Sequence, residues 1–195
     1  MTRFQKQLQF ILEVDKTKNI FRQTHLTHRG RNENDAEHAW HMAMMIYLLK
    51  EYANEEIDLA KTMMMALIHD IVEIDAGDTY AYDDQGLATQ KEREAQAAKR
   101  IFGLLPADQK AEMMALFEEF EAYESAEAKF AHAIDNFQPL LLNDSNNGYD
   151  WESHDVSAKR ILKRHSLSKL GSNKIGEYSE KLIDENVVKG NLKGE

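Results

Sequence analysis

Apolar positions along this chain recur mostly at helical spacing. Phe4, Leu8, Ile11 and Leu12 fall at i, i+4, i+7 and i+8, which predicts a first helix over about residues 2–15. Residues 17–33 carry Arg22, Arg29, Gly30 and Arg31 without clear periodicity and read as a connecting segment. Asn34-Asp35-Ala36-Glu37 reads as a cap with acid in the first turn, where the helix dipole favours negative charge. Its helix runs to about Tyr52, with Ala39, Met42, Met45, Ile46 and Leu49 on the apolar face. Asn54 is the expected cap of the next helix, which ends near Val72, before Asp75-Ala-Gly-Asp78 breaks it. Asp83-Asp-Gln-Gly86 reads as loop. Thr89 to Phe102 is helical and stops at Gly103, and Pro106 opens a helix to about Tyr123. Ser125 begins another, through Asp135 toward Leu142. A polar turn region over 143–150 precedes two last helices, at about 154–165 and 173–188. With no strand-like alternation, repeat or linker, the expectation is one all-α globular domain over 1–195, a bundle of seven or eight helices.

Composition narrows the chemistry. A chain of 195 residues can bury a sizeable single core. It has 2 Pro and no Cys, so disulfides and thiolate metal sites are excluded, and any metal must be held by His and carboxylates. The absence of Cys fits a reducing compartment, and a cytoplasmic location is expected. No apolar run approaches the ~18 residues of a membrane span, and the N-terminus lacks a signal-peptide core. The net charge of -10 argues against nucleic-acid polymers as partners. An anionic small ligand would need positive charge supplied locally.

The pair His69-Asp70 closes an apolar helix, where charge is costly unless something pairs with it. A second such pair, His154-Asp155, lies in a polar stretch, so the dipeptide alone means little. The first has company: His38 on an earlier helix, Glu73 one turn on, Asp78 past a glycine, and Asp135 on a later helix. A histidine, a histidine-aspartate pair and a distant aspartate, all on helices, can form a four-ligand metal site. Glu73 shares the face of His69 and Asp70, within reach of a metal-bound water. His41 and His132 read as packing or supporting residues, and Met63-Met64-Met65 as core filler. The basic run Lys159-Arg160…Lys163-Arg164 reads as a solvated helix face. His-Glu-x-x-His, paired Glu-x-x-His, Walker, dinucleotide and Gly-x-Ser-x-Gly signatures are all absent.

These motifs together resemble the HD-domain superfamily of metal-dependent phosphohydrolases, in its small single-domain branch that includes 5′-deoxynucleotidases. The resemblance rests on Arg22, Glu33-Asn34-Asp35-Ala36-Glu37-His38, His69-Asp70-Ile-Val-Glu73, Gly77-Asp78 and Ala133-Ile134-Asp135. It implies His38, His69, Asp70 and Asp135 as ligands of one divalent ion, with Mn, Co, Fe, Zn and Mg all compatible with the donor set. It further implies Glu73 acting on the nucleophilic water, Asp78 as a substrate or water contact, and Arg22, aided by Arg31, on the phosphate. Tyr80 and Tyr82 would wall the leaving group. The implied substrate is a small phosphorylated molecule, a nucleotide foremost, and the implied assembly a homodimer. One departure stands out: this branch has Trp after the substrate arginine, and Gln23 stands here. The competing readings are a regulatory domain with a structural metal and a hydrolase of another phosphate ester.

Overall fold

Local capping sets most helix starts. The computed structural model describes residues 1–194, Asp84 by its backbone alone; Glu195, the last residue of the expected domain, lies outside them. Thr2 caps α1 (Arg3–Val14) by accepting from the Gln5 N–H at 3.2 Å, and Gln5 Oε1 accepts from the Thr2 N–H at 2.8 Å. Asn34 and Glu37 form the same reciprocal box at the head of α2 (Asp35–Leu49), as the sequence pattern suggested. The next start differs from expectation. Asp58, not Asn54, caps α3 (Leu59–Ile68), and Asn54 instead donates to the Lys169 carbonyl at 2.7 Å.

α3 tightens into a 3₁₀ turn at His69–Val72 and resumes as α4 (Glu73–Ala76). Asp83 caps α5 (Asp84–Ile101), so the stretch read as loop belongs to a helix start. Then come α6 (Ala107–Ala122), α7 (Ala126–Ser145), α8 (Tyr149–Ser153), α9 (Ala158–His165), α10 (Ser168–Gly171) and α11 (Asn173–Lys189). Among the described residues, eight helices run eight residues or longer, matching the expected bundle.

The segment expected to be a plain connection contains a small hairpin. β1 (Phe21–His25) pairs antiparallel with β2 (Asn32–Asn34), with a register irregularity between the Phe21–Asn34 and His25–Asn32 pairs. The hairpin is anchored from outside. Asp150 accepts from the His25 N–H at 2.9 Å, and Asn146 donates to the Leu26 carbonyl at 3.0 Å. This anchoring positions Arg22.

α7 is the axis of the bundle. It buries Phe130, Ile134, Phe137 and Leu140 against Met42 and Ile46 of α2, Ile161 of α9, and Leu182 and Ile183 of α11. Pro139 lies inside it and removes the N–H that would bond the Asp135 carbonyl. Gly171 permits α10 to touch α7, since a Cβ there would collide with the Lys129 carbonyl oxygen. A second apolar cluster joins Ile68, Ile71 and Val72 to Ile101, Phe102 and Phe117. The His69–Val72 turn therefore sits where the two clusters meet. The α1 stripe faces solvent: Phe4, Ile11 and Leu12 are exposed, while Phe10 and Val14 pack inward. Among the described residues, no helix is long and apolar enough to cross a membrane.

Candidate metal centre and active-site cavity

Three helical segments bring two imidazoles and two carboxylates together. His38, fully buried on α2, places Nε2 3.1 Å from Asp135 Oδ1 and 3.9 Å from Asp70 Oδ2. His69 Nε2 lies 3.1 Å from Asp70 Oδ1 and 3.8 Å from Asp135 Oδ1. The other nitrogen of each ring faces an acceptor. His38 Nδ1 meets Gln138 Oε1 at 3.0 Å, and His69 Nδ1 meets the Ala66 carbonyl at 2.8 Å. Amide and peptide oxygens only accept, so both Nδ1 atoms carry the hydrogen in the assigned tautomer. In neutral rings both Nε2 lone pairs then point at carboxylate oxygens.

Lone pairs facing lone pairs repel unless a cation stands between them. His69 Nε2 is buried without a hydrogen-bond partner among the described residues, which fits a nitrogen whose lone pair would hold a metal ion. The donor set thus fits a divalent cation. Electrostatics agree: burial lowers both imidazole pKa values, but Asp135 and Glu33 raise that of His38, and Asp70 and Asp135 raise that of His69, with a net rise for each. Burial raises Asp70 and Asp135 in turn, and the neighbouring imidazoles bring both to a net fall.

A second acidic group abuts the first. Oxygens of Asp35, Asp70 and Glu73 lie within 4.8 Å of one another. Arg22 Nη1 holds Asp70 Oδ2 at 2.7 Å and approaches Asp35 Oδ1 at 3.8 Å. Burial, then Asp70, pushes Asp35 up to about 7, and burial with Asp70 and Asp35 pushes Glu73 up to about 11. Burial also raises Asp78, against the pull of Arg22. A further cation beside these groups would lower all three.

The cluster forms part of a cavity of about 750 Å³. Its wall includes Tyr80, 5.3 Å edge-on from Tyr82 and 4.7 Å from the His154 ring, together with Gln23, whose Oε1 lies 3.2 Å from His154 Nε2.

Comparison with known proteins fits this arrangement. Residues 14–175 match the HD-domain family model. The chain belongs to the HD-domain superfamily of metal-dependent phosphohydrolases. The HD domain of this chain is 33% identical over 136 residues to the human protein named 5′-deoxynucleotidase HDDC2, covering 69% of this chain. That match spans only 65% of the human protein's own length. The zebrafish (Danio rerio) protein of the same name is 30% identical over 136 residues, covering 69% of this chain and 66% of its own. A crystal structure of a predicted metal-dependent phosphohydrolase from Magnetospirillum magnetotacticum is 49% identical, with TM-score 0.94, covering 98% of this chain and 96% of its own.

Within this HD domain, His38, His69, Asp70, Asp135, Glu73, Asp78 and Arg22 converge, and Tyr82 lines the same cavity. Arg31 does not reach it. Its guanidinium is taken by Glu37, with Nη1–Oε2 at 2.8 Å, on the outer side of the hairpin. The basic run is only partly a solvated face: α9 turns Arg160, Lys163 and Arg164 into the cavity wall, because Ala158, Ile161 and His165 pack the helix down. His41 accepts from Gln138, and His132 stacks on Phe120 at 3.9 Å; both have the supporting roles expected.

The HD-domain site also uses residues that sequence reasoning did not single out. Gln138 orients His38 and is itself fixed by donating to Glu33 Oε1 at 2.7 Å. Its only signal was its position three residues after Asp135, on the same helix face. Asp35 read as a first-turn acid, yet it is only 1% exposed and turns into the acidic group.

Proposed function

We propose that this HD domain hydrolyses small phosphomonoesters with the help of a divalent metal ion, with nucleoside 5′-monophosphates as the leading substrate class. The carrying observation is the pair of Nε2 atoms, each committed to a carboxylate oxygen by an Nδ1 hydrogen bond on the far side of its ring. His38, His69, Asp70 and Asp135 would hold the ion, which supplies Lewis acidity to a phosphoryl oxygen and to water. Arg22 already lies against Asp70, so its fork is positioned to hold the phosphate oxygens as the substrate enters. With a cation nearby lowering its raised pKa so that it is ionised, Glu73 would take the proton of the attacking water as the oxygen–phosphorus bond forms. It would return that proton to the departing ester oxygen as the ester bond breaks. Asp78, lining the same cavity, contacts that water or the departing oxygen. The nucleoside reading draws on the relatives' names and on the wall of Tyr80 and Tyr82, which offers ring faces where Gln23 cannot.

The test is phosphate release from a panel of nucleoside monophosphates with Mn, Co and Mg. Release that His69→Ala abolishes is the expected result. Turnover of no panel member, or turnover that survives His69→Ala, would remove the proposal.

A further inference from the structure

α9 faces the cavity with Arg160, Lys163 and Arg164, at i, i+3 and i+4 on one side of the helix. The two ends of this strip have defined neighbours. Arg164 Nη2 lies 3.7 Å from Asp135 Oδ2, the outer oxygen of a candidate metal ligand. The Arg160 guanidinium lies 5.4 Å from the centre of the Tyr82 ring and donates to the Tyr82 carbonyl at 2.7 Å. The strip therefore runs from the metal-binding cluster to the aromatic wall. Between its ends, the Lys163 ammonium makes no ion pair or hydrogen bond among the described residues.

Charge balance makes this strip informative. The cavity lining also includes acids, Asp70, Glu73, Asp78 and Asp135 among them, and Arg164 faces the last of these. Lys163 is therefore the cation of the strip with no acidic partner among the described residues. The phosphate under attack would be met by the bound ion and Arg22, and an uncharged nucleoside adds no negative charge to meet Lys163. At about 750 Å³ the cavity lies in the upper part of the usual range for small-molecule sites, about 300–1,000 Å³. It has room for a second anionic group.

We infer, resting on the phosphohydrolase reading, that the preferred substrate bears a second phosphate on its sugar, and that the α9 strip, with Lys163 at its centre, binds it. Phosphate beside a lysine and two arginines forms charge-assisted hydrogen bonds, whereas a hydroxyl at the same position does not. The effect belongs mainly in KM, because the second phosphate is held equally in the ground and transition states.

The test compares kcat/KM for matched pairs: adenosine 5′-monophosphate against adenosine 3′,5′-bisphosphate, and fructose 6-phosphate against fructose 1,6-bisphosphate. The expected result is a preference of about tenfold or more for the bisphosphate in at least one pair, carried by KM. Lys163→Met should cut that preference by about fivefold or more, and Lys163→Arg should restore most of it. Equal kcat/KM within both pairs, or a preference that Lys163→Met leaves intact, overturns the inference while leaving the phosphohydrolase reading standing. Phosphate release from no member of either pair removes both.

Discussion

The chain contains the sequence His-Asp twice, and the two copies have opposite surroundings. His69 and Asp70 sit in a 3₁₀ turn between two apolar clusters, with one imidazole nitrogen bound to the Ala66 carbonyl and the other facing only carboxylates. His154 uses both nitrogens in ordinary contacts, with the Asp150 carbonyl at 2.9 Å and Gln23 at 3.2 Å. Asp155 adopts a left-handed backbone, φ 53, and pairs with Lys193 in solvent. Chemical capacity therefore comes from a buried lone pair without a hydrogen donor. The dipeptide supplies only the opportunity.

The sharpest way to break this contrast is to neutralise each aspartate in turn. Asp70→Asn should lower kcat on the order of 10³-fold or more and weaken cation binding, read by phosphate release and calorimetry. Asp155→Asn should leave both within experimental scatter; equal effects at the two positions would show that the surroundings carry no weight.

A gentler change leaves the His-Asp pair intact and disturbs only its partner ring. Gln138→Leu removes the acceptor from His38 Nδ1, so cation affinity should fall about 10–100-fold by calorimetric titration, with the fold retained by circular dichroism. An unchanged affinity would mean that the ring needs no orienting partner.

His165 extends the comparison to a third environment. It is buried, its Nδ1 has no hydrogen-bond partner among the described residues, and burial followed by Arg164 pushes its pKa down to about 3. Its folded value lies below the unfolded one, so the unfolded chain takes up the proton first, and the contribution of His165 to stability falls with pH below about 6.5. The loss is about 1.4 kcal/mol per pH unit, or about 2 kcal/mol by pH 5. Asp35, Glu73, His38 and His69 have raised values and act in the opposite sense, so the readout is a difference. Between pH 7 and pH 5, urea denaturation should show the native protein losing about 2 kcal/mol relative to His165→Gln. A loss of the same size in both would remove His165 as its source. The smallest effect belongs to Asp155→Asn, which keeps a residue type that tolerates the left-handed backbone and is expected within about 0.5 kcal/mol of the native stability in the same assay.

Much of this architecture follows from local signals. The Asn34–Glu37 box starts α2, and Ser125 starts α7 by accepting from the Ala128 N–H, because caps act over three residues. His38, His69, Asp70 and Asp135 could be ordered in advance because each is a polar residue set among helical apolar positions. The hairpin was hidden for the opposite reason. Its strands are five and three residues long, break register, and owe their order to Asn146 and Asp150, which lie more than a hundred residues away. Asn54 looked like a cap because its type suits one, but its amide is used to tie α10 to the chain before α3. Gln138, Asp35 and the inward side of α9 acquire meaning only once the helices are packed. Periodicity assigns a residue to a face and leaves open which neighbour that face meets.

α7 contributes Asp135 and Gln138, which grip opposite nitrogens of the same imidazole, and it also runs through the main apolar core. Occupancy of the centre and integrity of the bundle are thus thermodynamically linked. An ion present at a hundred times its dissociation constant would stabilise the folded chain by about 2.7 kcal/mol. By the same reciprocity, a core substitution that lets this helix drift by a fraction of an ångström would loosen the hold on a bound ion while touching none of the proposed ligands.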